Sequence, residues 1–265
     1  MISEAQDFLE EARALEALLT PLEDAVFQRA TQFKNWSIND VLQHLHVWNS
    51  AAGASVRDED ELAEMLADMR AAPSLRAFER AWIGDVSGRN LLTLWWDGAQ
   101  ATADLFAALD SKQRLKWVGP SMSARSSITA RQMETWAHGQ EVFDLLGVER
   151  ADGDRLRNIA HLGVTTFGWT YAVRGRAAPS SVPYVELVAP SGAIWTWNER
   201  SADECVRGDA VEFCQVVTQT RNIADTALQV SGPIAREWMA MAQCFAGAAR
   251  EPPPPGTRFK QRVHI

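Results

Sequence analysis

Four long stretches before residue 147 place apolar side chains three and four residues apart, and that spacing constrains the fold more than any other feature. The first, over residues 3 to 30, aligns Phe8, Leu9, Ala12, Leu15, Leu19, Leu22 and Val26, with a bend at Pro21. The second opens at Ser37, which can cap a helix while Asp40, three residues on, returns the hydrogen bond; it carries Val41, Leu42, Leu45, Trp48 and Ala52. Its continuation towards Arg70 crosses the acidic patch Asp58 to Glu61, read as a solvated bend. Pro73-Ser74 opens the third stretch, interrupted near Gly84 to Gly88 and resuming through Leu91, Leu92, Trp95, Ala99 and Leu105 to Leu109. The fourth runs from Ser126 to Leu146 and is closed by Gly147 as a C-cap. Four such helices predict a four-helix bundle.

Beyond Gly147 the pattern changes, and a domain boundary is placed near residue 150. A helical pattern runs from Leu156 to Tyr171, and Tyr184 to Ala189 and Ala193 to Asn198 alternate as strands around the turn Pro190-Ser191-Gly192. Two more helical patterns follow, Asp209 to Val217 and Pro233 to Ala246. The fold class is therefore α with a smaller α+β part: a bundle over 1–150, a small α+β domain over 151–250 and a tail over 251–265. The charge divides in the same way. Residues 1–150 hold 23 acids and 14 bases, and 151–265 hold 11 and 12.

The net charge of -8 gives a phosphate backbone no general reason to approach, so nucleic acid is not an expected partner. The first twenty residues are acidic, unlike a signal peptide, and the densest apolar run, Leu91 to Trp96, is far short of a membrane span; a cytoplasmic protein is expected. Cys205, Cys214 and Cys244 are odd in number and widely spaced, which fits reduced core thiols rather than a disulfide framework. Trp95-Trp96 is left open between core and a homodimer surface.

Five histidines are present, and two sit where a metal site is plausible. Glu134 and His138 are four residues apart and share one face of the fourth helix, so one ion can touch both. His44 lies on the stripe of the second helix that holds Asp40, Val41, Val47 and Trp48, which in a bundle can face the fourth helix. Two nitrogens and one carboxylate leave a coordination position open on a zinc-like ion, the arrangement of a catalytic rather than a structural site. A surface Glu-His ion pair and a core histidine bonded to a carbonyl are the bland alternatives. His46 points about 200° away from His44 and is left out. His161 is read as packed among Leu162, Val164 and Phe167, and His264 falls in the tail.

The segments Trp36-Ser37-Ile38-Asn39-Asp40-Val41-Leu42-Gln43-His44-Leu45 and Met133-Glu134-Thr135-Trp136-Ala137-His138-Gly139-Gln140 resemble the two metal-ligand segments of the mycothiol-dependent maleylpyruvate isomerase N-terminal domain, within the DinB/YfiT-like metalloenzyme superfamily. The resemblance covers residues 1–150 well and the rest loosely, and it is closest to an uncharacterised metal-binding branch common in actinobacteria. It implies a divalent metal, usually zinc, on His44, Glu134 and His138, with the cleft facing the α+β domain.

In that family the open metal position is thought to receive a low-molecular-weight thiol such as mycothiol as its thiolate. The thiolate adds to a small unsaturated carboxylate, the former double bond rotates and elimination returns the isomer. An arginine must hold the carboxylate. Arg125, Arg131 and Arg221 are candidates, with Arg221 favoured because the family places a functional arginine in its second domain. Two alternatives stay open: a metal-activated water serving a hydrolase or hydratase/lyase, with Glu141 as proton carrier, and a non-catalytic metal or small-molecule binding protein. Trp48 and Trp136 are candidates for the pocket wall.

Overall fold

In the computed structural model, which describes residues 2–262, the chain divides into two units, Met1–Leu145 and Leu146–Ile265. The first is built on four long helices, α1 (Ser3–Leu19), α2 (Ile38–Arg57), α5 (Gly88–Ala107) and α6 (Ala124–Leu146), with α3 (Glu59–Ala71) and α4 (Leu75–Ile83) inserted between α2 and α5. Phe8, Ala12, Leu15 and Leu19 of α1 are fully buried, and α5 packs on both α1 and α2. Each such large apolar side chain contributes about 1.5–3 kcal/mol by leaving water. A two-residue hairpin, β1 (Arg114–Leu115) with β2 (Met122–Ser123), leads into α6.

Two details of the first unit differ from the sequence reading, and a third that it left open is resolved. The first helix stops at Leu19, before Pro21, and a 3-10 turn over Asp24–Gln28 holds Phe27 in the core. Proline lacks the amide proton that a continuing helix needs, so the chain ends the helix rather than bending it. The acidic patch is a break with its own cap: Asp58 is extended, its side chain accepts from the Asp60 amide at 2.9 Å, and α3 starts there. Leu62 and Leu66 of α3 then pack on Trp48, Ala51 and Ala54 of α2. Trp95 is wholly buried and Trp96 half-buried, which assigns Trp95 to the core.

The second unit is α+β. Strands β3 (Tyr184–Val188) and β4 (Ile194–Trp197) form the antiparallel hairpin, β5 (Cys205–Asp209) lies parallel to β3, and β6 (Gln229–Ser231) closes the order β4-β3-β5-β6. Helices α7 (Arg157–Thr165), α8 (Phe167–Ala172), α9 (Ala210–Val217) and α10 (Pro233–Met241) complete it. The helical pattern from Leu156 to Tyr171 is thus two helices parted at Thr166, and α10 stops at Met241 rather than Ala246. Gly163 lets α9 come close: a Cβ there would meet Val217 at 2.8 Å. Phe167, Phe213 and Trp238 form an aromatic cluster, with ring centroids 5.3 and 5.9 Å from Trp238.

The segment read as a tail is bound to the second unit over its described residues. The Pro253 carbonyl accepts from Asn222 Nδ2 at 2.8 Å, the Gly256 backbone amide donates to Asp225, and Arg258 donates to the Gln219 carbonyl at 2.7 Å. His264 lies outside the described residues. The three cysteines are buried and form no disulfide among the described residues, and no described helix is long and apolar enough to cross a membrane.

Candidate metal centre

The start of α2 sets the geometry. Ser37 and Asp40 form the reciprocal capping box, with Ser37 Oγ accepting from the Asp40 amide at 3.1 Å and Asp40 Oδ2 accepting from the Ser37 amide at 2.9 Å. This fixes the phase of α2, which points His44 towards α6. Just before it, residues 33 to 36 make a tight turn: Lys34 and Asn35 both have positive φ, 53° and 57°, and the Trp36 amide donates to the Phe33 carbonyl at 2.9 Å. Left-handed backbone at two successive non-glycine residues is costly, and such strain concentrates at functional sites. Here it presents Phe33 and Trp36 to the α6 histidine, with Trp36 stacked on His138 at 10° and 5.5 Å and Phe33 edge-on at 5.1 Å.

His44, Glu134 and His138 converge, with one ligand atom from each all within 4.8 Å of one another. Glu134 Oε2 is 3.5 Å from His44 Nε2 and 3.4 Å from His138 Nε2. Those separations are longer than an ordinary N–H···O hydrogen bond. They match the edge of a coordination tetrahedron instead, since bonds of about 2.0–2.1 Å at the tetrahedral angle put donor atoms about 3.4 Å apart. The donor set therefore fits a zinc-like ion. The two imidazoles are nine-tenths buried, so an ion held here would be largely shielded from solvent.

The electrostatics are those of a tightly coupled group. Burial alone would raise the Glu134 carboxyl, but His138, His44 and the Arg131 charge outweigh it and hold it well below its ordinary value. Burial pulls His44 down, yet Glu134 and Glu79 overcome it and its pKa is raised; His138, with burial and the neighbouring His44 against it, is lowered. Behind His44 stands Glu79 of α4, a fully buried carboxylate: Oε1 lies 2.7 Å from His44 Nδ1 and accepts from Trp48 Nε1 at 3.1 Å, and Oε2 accepts from Arg76. Burial works to raise this carboxyl too, but His44 and Arg76 hold it below its ordinary value.

The other residues singled out in the sequence fall in different places. Glu141 is buried on α6, one turn past His138. Arg131 is 5% exposed, its Nη2 stands 4.0 Å from Glu134 Oε1, its guanidinium lies over Trp117 and its Nη1 has no hydrogen-bond partner among the described residues. Arg125 is a surface residue paired with Glu4 at 3.2 Å. Arg221 belongs to the second unit and donates to the Thr220 carbonyl at 2.9 Å. Trp136 is wholly in the core, whereas Trp48 is bonded to Glu79. His46 is buried and turned to Trp82, and burial pushes it down to about 4. His161 is exposed rather than packed, accepting from Trp197 Nε1 at 3.2 Å, because the apolar stripe of α7 runs through Ile159, Ala160, Gly163 and Val164 instead.

Sequence reasoning missed Glu79, Trp36 and Phe33 as parts of the site. The one local sign of Glu79 was Arg76 three residues earlier on the same short helix.

A helical bundle that gathers two histidines and a glutamate from two helices into one potential ligand set, followed by an α+β unit, defines the class. Residues 8–143 match the mycothiol maleylpyruvate isomerase N-terminal domain family, and the chain belongs to that family. Two uncharacterised proteins from two strains of Mycobacterium tuberculosis are each 37% identical over 251 residues, spanning 94% of this chain and 95% of theirs. Among solved structures, the crystal structure of the mycothiol-dependent maleylpyruvate isomerase shares the fold with a TM-score of 0.54 at 14% identity, covering 81% of this chain and 87% of that one. A mutant of that enzyme aligns with a TM-score of 0.53.

Proposed function

We propose that the protein is a divalent-metal-dependent enzyme that isomerises a small unsaturated carboxylate with the help of a low-molecular-weight thiol such as mycothiol. The observation that carries this reading is the set of three donor atoms, His44 Nε2, His138 Nε2 and Glu134 Oε2, in which the carboxylate oxygen stands at tetrahedral-edge distance from both nitrogens and no fourth protein donor is grouped with them among the described residues. Membership of a family described by a mycothiol isomerase, and the shared fold of a solved mycothiol-dependent enzyme, support the choice of thiol over water.

His44, His138 and Glu134 would hold the ion, zinc being the metal best matched to two imidazoles and a carboxylate. When bound, such an ion lowers the pKa of a thiol or water placed on it, so that the nucleophile exists at neutral pH. The rest falls to side chains. Phe33 and Trp36 wall the histidines with aromatic rings, which keeps bulk water from the donor atoms. Glu141, one turn beyond His138, is the proposed proton carrier. The substrate carboxylate needs a guanidinium, and two are proposed: Arg221 in the second unit, and Arg131, whose buried and underbonded guanidinium already adjoins Glu134. Three buried cysteines outside any disulfide suit a reduced, cytoplasmic setting.

The test is metal analysis of the purified protein followed by assays on small cis-unsaturated dicarboxylates with and without added mycothiol. About one zinc per chain and turnover only with thiol is the expected result. Turnover without thiol would point to water as the nucleophile, and a protein that takes up no metal on reconstitution would end the reading.

A further inference from the structure

Glu79 stands out because a carboxylate with no exposed surface is expensive to bury, and this one is met on every side by donors. Arg76 donates to Oε2, and Trp48 Nε1 donates to Oε1 at 3.1 Å. Arg76 is itself held by the Asp40 carboxylate, the Asp40 carbonyl at 3.2 Å and Gln43 Oε1 at 2.8 Å. The remaining neighbour of Oε1 is His44 Nδ1, at 2.7 Å.

An oxygen already accepting from Trp48, on a carboxylate paired with a guanidinium, is an acceptor, so the proton of this short contact sits on Nδ1. A neutral imidazole has one N–H and one lone pair. With the proton on Nδ1, the lone pair is on Nε2, which is the atom facing Glu134 Oε2. The network also reaches the other histidine. The Arg76 guanidinium lies 4.8 Å over the Trp36 ring, and Trp36 is stacked on His138.

We infer that Glu79 is a positioning residue of the metal centre, whose buried carboxylate fixes His44 in the Nδ1-protonated tautomer and aims its Nε2 lone pair at the ion. This rests on the metal-binding reading above. The competing account is a bolt that only ties α4 to α2. A bolt predicts lost stability with unchanged site chemistry; positioning predicts weaker metal binding and a defined tautomer.

Two measurements on the full chain separate them. Long-range proton–nitrogen NMR on the histidine-labelled wild-type protein, with the His44 signals assigned by their loss in His44→Ala, is expected to show Nδ1–H on His44 both before and after zinc is added. A metal-free His44 ring whose only proton is on Nε2, leaving Nδ1 bare, overturns the inference. Zinc affinity by competition with a chromophoric chelator is expected to fall about ten- to hundredfold in Glu79→Gln. The visible absorption of the cobalt-substituted protein should shift in the same variant while helical circular dichroism is retained. Wild-type affinity and spectrum in Glu79→Gln overturn the inference and leave the metal site standing. Absence of zinc binding in the wild type overturns both. If Glu79→Gln does not fold, the tautomer of the wild-type protein decides.

Discussion

The two units bury different kinds of side chain. In the first, four buried ionisable groups gather around one point: His44, Glu79, Arg131 and His138. In the second, the centre is the aromatic cluster of Phe167, Phe213 and Trp238, and buried polar groups mostly bond backbone, as when Gln219 donates to the Ala242 carbonyl at 3.0 Å and Gln243 Oε1 accepts from the Arg250 amide at 2.9 Å. Its charge pairs include one that is largely buried, Arg150 with Asp152, while others, such as Arg176 with Glu237 and Lys260 with Glu149, are solvent-exposed and worth little to stability. Desolvated charge lowers stability unless something offsets it, so a cluster of four buried ionisable groups around one point marks a candidate site for chemistry.

The contrast breaks most visibly at its two centres. Trp238→Ala is expected to cost about 3–5 kcal/mol in chemical denaturation, as for other wholly buried aromatic residues, while zinc content of the folded fraction stays at wild type. A matching loss of zinc would show that the second unit's core also governs the site. Removal of a ligand is the converse. His138→Ala should weaken zinc binding by more than the hundredfold ceiling of a supporting residue, with helical circular dichroism preserved. Full zinc occupancy in that variant would reduce the three donor residues to an ordinary buried ion pair.

How much of this the sequence carried follows from distance along the chain. Glu134 and His138 were legible because a helix places residues four apart on one face, and the Ser37-Asp40 cap because its two partners are three apart. The β3–β4 hairpin was legible through its turn. Strands β5 and β6 were not: they are short, and β5 joins β3 in parallel, across a separation that leaves no local turn to read. Glu79 was hidden for the same reason, 35 residues from the histidine it supports, on a nine-residue helix whose pattern reads as a surface segment. His161 was misplaced because its apolar neighbours in sequence were taken for neighbours in space.

A smaller effect sharpens the comparison between units on the question of substrate. Arg131 and Arg221 come from different units, and replacing a forked guanidinium by a point charge at a carboxylate site costs about 1.5–3 kcal/mol of binding. Arg131→Lys is expected to raise KM about ten- to hundredfold with kcat less affected, and Arg221→Lys to do the same if the second unit supplies the carboxylate clamp. An unchanged KM in one of the two variants assigns the clamp to the other, and unchanged KM in both removes arginine from substrate binding.

The smallest expected effect lies at the start of α2. Ser37→Ala removes the hydroxyl that accepts from the Asp40 amide, leaving a helix-end donor without its partner, and caps of this kind are worth about 1 kcal/mol. The other half of the box survives, because Asp40 Oδ2 still accepts from the Ser37 amide, and Asp40 Oδ1 keeps its pairs with Arg76 and Arg80. The brace behind His44 is thus left in place while the helix that carries it is weakened. Denaturation of the zinc-free protein should show the stability loss, and zinc competition should show a smaller drop in affinity than in Glu79→Gln. An equal drop would mean that the phase of α2, rather than the bond from Glu79, is what aims His44.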